Sequence, residues 1–164
     1  MIIDANVFKG YFQAELGNSH SLCGCPTKLL GGATTLKPIY QDTGGIIESE
    51  WQAVVDREWF EPWLANQLIA GVITYIEGKK DLGFEKNLST LGFPGGRDFV
   101  YIRVGISVAI SLGSVCQLIT EDLDFYDPKK KGCPAKTRHS LLTSSSGPVA
   151  KLLKKKNISV CCVP

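Results

Sequence analysis

Four acids stand where their type and surroundings could do chemistry together. Asp4 follows the apolar run "MII", and Asp122 comes just after "LIT" at Leu118 to Thr120, so both leave what reads as a buried strand. Glu50 lies in "IIESEWQ" and Asp98 in "GGRDFVY", near the starts of helical patterns. If these carboxylates converge they repel one another, and burying them together is costly unless a cation neutralises them. A hard divalent ion meets that need. Mg2+ or Mn2+ takes oxygen ligands, and one or two carboxylates with waters and a substrate phosphate suffice. Such an ion can activate water and stabilise charge developing on a phosphodiester.

Each acid also has a bland use. Asp4 could cap the helix that comes after it, and Asp98 could cap another after Gly95-Gly96. Asp122 could cap a turn, Asp124 could form an Asx turn before Phe125, and Glu50 could simply be solvated. Spacing alone leaves the two readings balanced.

The elements that would position the acids are set by periodicity. Ile2-Ile3 reads as a short strand, and Asn6 to Leu16 carries apolar residues near helical spacing. Cys25 to Leu30 reads as a short helix with Pro26 in its first turn, broken by Gly31-Gly32. "LKPIYQD" reads as a strand, and Ile46 onward as an amphipathic helix bordered by Glu50. Trp59 to Ile76 is expected to be further helix, with Pro62 as a break or a first turn. Gly83 to Gly96 reads as loop, then Asp98 to about Leu112 as helix, capped by Gly113. "VCQLIT" is a second clear strand. Ser140 to Pro148 is expected to be a polar loop, Val149 to Lys156 a short basic helix, and "ISVCCVP" a last strand. Helices separating short apolar strands predict an α/β domain around a parallel sheet, and such sheets build their sites beyond the carboxyl ends of strands.

Length and composition agree with one domain. The chain has 164 residues, 44% hydrophobic and 21% charged, enough for a proper core. Its net charge of +2 does not announce a nucleic-acid binder, but the cations are unevenly placed: "KKK" occurs at Lys129, Lys130 and Lys131 and again at Lys154 to Lys156, with Lys136 and Arg138 between. A basic C-terminal segment, 127–164, beside acidic strand ends could hold an anionic polymer next to the acids, or be an ordinary solvated surface. The acid at position 4 argues against a signal peptide, and the longest apolar stretch, near Val104 to Leu112, is too short to span a membrane. A cytoplasmic chain is expected, with its six cysteines mostly reduced. His20, Cys23 and Cys25 lack the paired spacing of a structural zinc site.

Three stretches carry a family resemblance. "MIIDANVFKGYF" resembles the opening of PIN-domain ribonucleases, and "LITEDLDFYDP" resembles their second signature, with "IIESEWQ" similar to the segment between them. The ordered set spans nearly the whole chain. The resemblance implies a three-layer α/β/α sandwich with a central parallel sheet, and a metal-dependent endoribonuclease leaving 5′-phosphate and 3′-hydroxyl ends. It carries the family acids onto Asp4, Glu50 and Asp122, with Asn6, Thr120 and Asp124 in support. Glu48 competes with Glu50 but precedes Ser49 rather than the aromatic Trp51.

The third family acid is where this chain departs. Asp98 opens the expected helix, yet stands roughly one turn, about 5 Å, further out than the family pattern. The position one turn later is Ile102, with Arg103 beside it. Lys129, Lys130, Lys131, Lys136 and Arg138 would hold flanking RNA phosphates. The family further implies a toxin controlled by a small antitoxin, and Trp59, Phe60 and Trp63 could form either a homodimer patch or core. Two rivals stand beside the nuclease. One is a catalytically degenerate PIN-like module that binds nucleic acid or a protein. The other is a phosphate-handling, receiver-like domain, which would need a phosphoryl-accepting Asp at the end of a middle strand between Tyr40 and Asp98, where no strand is expected.

Overall fold

Two isoleucines suffice for the first strand because both faces are covered. The computed structural model describes residues 1–17 and 38–163. In it β1 (Ile2–Ile3) is wholly buried and pairs in parallel with β4 (Cys116–Ile119), Ile2 opposite Leu118 and Ile3 opposite Ile119. β5 (Ile158–Cys161) lies parallel on the far side of β4, giving a three-stranded sheet in the order β1-β4-β5. A second parallel pair joins β2 (Ile39–Asp42) to β3 (Ile73–Ile76). The two sheets meet at β1. The Tyr40 N–H donates to the Met1 carbonyl at 2.8 Å, and the Met1 ammonium donates to the Pro38 carbonyl at 2.7 Å.

Helices flank this sheet, as the apolar strands require. They are α1 (Ala5–Glu15), α2 (Ile46–Ala53), α3 (Arg57–Ile69), α4 (Leu82–Thr90), α5 (Asp98–Leu112), α6 (Ala135–Thr143) and α7 (Pro148–Lys154). Two single-turn 3-10 segments, Leu123–Phe125 and Pro128–Lys130, come after β4. α5 is the central one. Val100, Tyr101, Ile102, Val104, Ile106, Val108 and Ala109 are buried along it, and Gly113 ends it in the left-handed conformation (φ 60°), as its sequence predicts. Gly105 lets α5 approach the sheet closely: a Cβ there would stand 2.9 Å from Ile158 Cδ1.

Four expectations need correction. The segment from Trp59 to Ile76 is not one helix: α3 runs through Pro62 and stops at Ile69, Gly71 turns the chain at φ 66°, and β3 comes next. The β-branched, aromatic run Ile73-Thr74-Tyr75 favours the strand, and pairing with β2 settles it. Residues 83–96 are not all loop, because Asp81 accepts from the Phe84 N–H at 3.0 Å and starts α4. Ser140 to Thr143 likewise belong to α6 and not to a loop. β3 also supplies a middle strand between Tyr40 and Asp98, though the residue after it is Glu77 and not an aspartate.

Trp59, Phe60 and Trp63 form no exposed patch. They pack with Phe8, Tyr11 and Trp51 between α1, α2 and α3, Phe8 stacking on Trp51 at 4.2 Å and Trp59 on Trp63 at 5.7 Å. Trp51 is fully buried, and its indole N–H donates to the Ile3 carbonyl at 3.0 Å, so it holds α2 against β1. Truncating such a residue to alanine costs about 3–5 kcal/mol. The described cysteines, Cys116, Cys133, Cys161 and Cys162, are free thiols; His20, Cys23, Cys25 and the helix expected at Cys25 to Leu30 lie outside the described residues. Among the described residues no helix is long and apolar enough to cross a membrane.

Candidate acidic site

β1 delivers Asp4 into the interior. Its N–H donates to the Ile119 carbonyl of β4 at 2.9 Å, continuing the pairing, and its carbonyl accepts from Val7 and Phe8 to start α1. The side chain does not cap that helix. The Asn6 amide is the weakest influence on it and falls outside capping geometry. The carboxylate instead accepts from the Thr120 hydroxyl at 2.7 Å.

Thr120 organises the turn after β4. Its N–H donates to the Cys161 carbonyl at 2.9 Å, its hydroxyl oxygen accepts from the Asp122 N–H at 3.0 Å, and its carbonyl accepts from the Tyr126 hydroxyl at 3.0 Å. Asp122 then accepts from the Asp124 N–H at 2.9 Å, so it does cap the first 3-10 turn as well as face the site. Behind that turn, Gly147 is indispensable to the packing. A Cβ there would lie 2.2 Å from the Tyr126 carbonyl oxygen, and its φ of 142° suits only glycine.

The acids act on one another. Burial pushes the Asp4 carboxyl up to about 6; the Thr120 hydrogen bond opposes this, and the charges of Asp122 and Asp98 add to it. Asp98, the first residue of α5, is half-buried and also pushed up to about 6, by burial and then by Asp122, Asp124 and Glu50, with Lys131 opposing. Asp124 is raised chiefly by burial, against the pull of Lys131, whose Nζ lies 2.5 Å from Asp124 Oδ2. Asp4, Asp98 and Asp122 therefore share one electrostatic neighbourhood, with Glu50 and Asp124 at its border.

Sequence reasoning missed Tyr101. It sits one turn after Asp98 on the same face of α5, and its buried hydroxyl donates to Glu50 Oε2 at 2.7 Å. Burial first, then the Asp4 charge and the bond to Glu50, hold its pKa far above the usual phenol range, so it is a neutral donor between two acids. Ile102, the position read as one turn on, is fully buried core. Arg103 reaches away from the site, making a two-pronged contact with Glu85 of α4 at 2.7 and 2.8 Å. The i, i+3 spacing from Asp98 was the available signal. Glu48 is engaged elsewhere, accepting from the Tyr75 hydroxyl.

A cleft of about 380 Å³ opens beside the acids, lined by Asn6, Glu121, Asp122, Leu123, Lys131 and Arg138. Two of the five expected phosphate-binding cations thus reach it. Arg138 Nη2 donates to the Glu121 carbonyl at 2.8 Å, while its Nε is buried without an acceptor among the described residues. Lys129, Lys130 and Lys136 are exposed outside the cleft wall.

The acids offer oxygen ligands, which suit a hard cation, while Lys131 and Arg138 on the cleft wall are cations themselves and cannot serve as ligands. Among the described residues no three His, Cys, Asp or Glu side chains gather closely enough to enclose an ion by themselves. A fit therefore exists only for a hydrated ion held by one or two carboxylates, which is how magnesium is ordinarily held. No protein-family model, curated protein or solved structure matches the chain.

Proposed function

We propose that the chain is a metal-dependent endoribonuclease on a PIN-like, three-layer α/β/α scaffold. The observation that supports it is the shared electrostatic neighbourhood of Asp4, Asp98 and Asp122, in which burial and the neighbouring acids hold two carboxyls near 6. Asp4 and Asp122, with Asp98 helping, would hold a hydrated Mg2+ or Mn2+. That ion would supply Lewis-acid stabilisation of the phosphate and a more acidic water.

The chain's own groups do the rest. Thr120 fixes the rotamer of Asp4 through its hydroxyl, and Tyr101 aims Glu50. Lys131 and Arg138, on the cleft wall, hold the phosphates flanking the scissile bond, a contribution that weakens as salt rises. RNA as substrate, the 5′-phosphate product, a toxin role under a small antitoxin and a cytoplasmic location come from the sequence resemblance.

A second reading has its own support. Buried Ile102 stands one turn after Asp98, where the family pattern would put the third acid, and among the described residues no three carboxylates close on one point. On that reading the cleft binds nucleic acid or a protein without cutting. Incubating end-labelled single-stranded RNA with purified protein in Mn2+, Mg2+ or EDTA separates the two. Metal-dependent cutting that Asp4→Asn loses supports the nuclease. RNA retained by both proteins but cut by neither supports the binding module.

A further inference from the structure

Among the described residues, Lys131 is the one cation in direct side-chain contact with an acid of the site. Its Nζ lies 2.5 Å from Asp124 Oδ2, while its side chain is otherwise 57% exposed. It ends the second 3-10 turn, held at its backbone by a 3.4 Å bond to the Pro128 carbonyl, and Gly132 after it faces open space. The ammonium is therefore pinned at its tip by one carboxylate and is free along its stem. Asp124 is the opposite case: 6% exposed, with its N–H tied to Asp122. The charges of Asp122, Asp124 and Asp98 all bear on the ammonium.

We propose that Lys131 is the resident counter-ion of the acid cleft: it neutralises Asp124 when no metal is bound, and it gives way to a divalent cation by swinging to a substrate phosphate. The proposal rests on the metal-dependent reading above. Two physical arguments carry it. An ammonium and a dication cannot sit beside neighbouring carboxylates without repulsion, so a cation held at Asp122 must work against Lys131 on Asp124. The released ammonium has somewhere to go, because Arg138, with a buried donor lacking an acceptor among the described residues, lines the same cleft. A phosphate brought there would meet both groups. The same side chain thus opposes metal entry in the free protein and assists substrate binding afterwards, so RNA and metal are expected to bind cooperatively.

The test is Mn2+ binding by calorimetry to the wild-type chain, Lys131→Met and Lys129→Met, with and without a non-cleavable single-stranded RNA analogue. Lys131→Met keeps the stem and removes the charge. It should bind Mn2+ on the order of tenfold more tightly than wild type, while Lys129→Met, in the same turn but outside the cleft, should match wild type. RNA analogue should tighten Mn2+ binding to wild type by a clearly larger factor than it tightens binding to Lys131→Met. Equal Mn2+ affinity in wild type and Lys131→Met, or weaker binding by the variant, overturns the counter-ion role while leaving the metal site intact. Failure of every protein to bind Mn2+ overturns the metal-dependent reading itself, and this inference with it.

Discussion

Asp4 and Asp42 are near twins with different fates. Both are buried acids at the carboxyl end of neighbouring strands, each shortly before a helix. Asp42 spends both oxygens on that helix: Oδ2 accepts from the Ile46 N–H at 3.0 Å and Oδ1 from the Ile47 N–H at 2.8 Å. Asp4 turns from its helix toward Thr120 and into the field of two other acids. A carboxylate that satisfies orphan amides is explained by folding alone. One that forgoes them, and is pushed up to about 6 by burial despite its bond to Thr120, is not explained by helix capping.

The contrast can be broken by substitution. Asp4→Asn should lower metal-dependent RNA cleavage on the order of a thousandfold, about 4 kcal/mol, whereas Asp42→Ala should leave cleavage per folded molecule within about twofold. Comparable losses from both would mean that Asp42 belongs to the site.

Stability against pH gives a second separation. The Asp4 carboxyl binds its proton more tightly in the folded chain, near 6, than in the unfolded chain, near 3.8. Its contribution is therefore fully present below about pH 4 and is lost as pH rises through 6, amounting to roughly 2–3 kcal/mol at most. Urea unfolding of wild type and Asp4→Asn between pH 4 and 7, without divalent metal, should show wild type losing ground to the variant as pH rises. A constant difference across that range would refute the upward shift of the buried Asp4 carboxyl.

Smaller effects sharpen the pair. Asp42→Ala should cost about 1–2 kcal/mol in the same unfolding assay through loss of its cap. Tyr101→Phe, which removes the donor to Glu50 and little else, should reduce cleavage about fivefold. Unchanged cleavage in that variant would place Glu50 outside the chemistry.

How much of this could be read from residue order depends on what each residue is paired with. Asp4 and Asp122 were legible because an apolar run ending in an acid is a local pattern, and Gly113 announced the end of α5 for the same reason. Asp42 passed unnoticed, although "LKPIYQD" read as a strand, because its role lies in amides several residues on. β3 was hidden by its half-exposed pattern, which continues the apolar spacing of α3; only its pairing with β2 distinguishes it. α4 and α6 are short and polar, with Gly83 and the serines of 140–146 reading as breakers, and tertiary support outweighed those propensities. The tryptophans could serve as core or as surface until α1 was placed against them. Tyr101 looked like one more apolar helix residue, and nothing in its neighbours along the chain points to Glu50.

The bond between Thr120 and Asp4 spans 116 positions, and that separation sets a timetable. A polypeptide emerging from the ribosome exposes Asp4 long before Thr120, surrounded by messenger and ribosomal RNA. The two-residue strand has no β4 beside it, and its carboxylate has no hydroxyl to orient it, until that later stretch has been made. Pairing at such distance is slow to form and arrives late. The acid cleft is thus assembled only after most of these elements have been synthesised, so on the nuclease reading proposed above the nascent chain would carry no finished site.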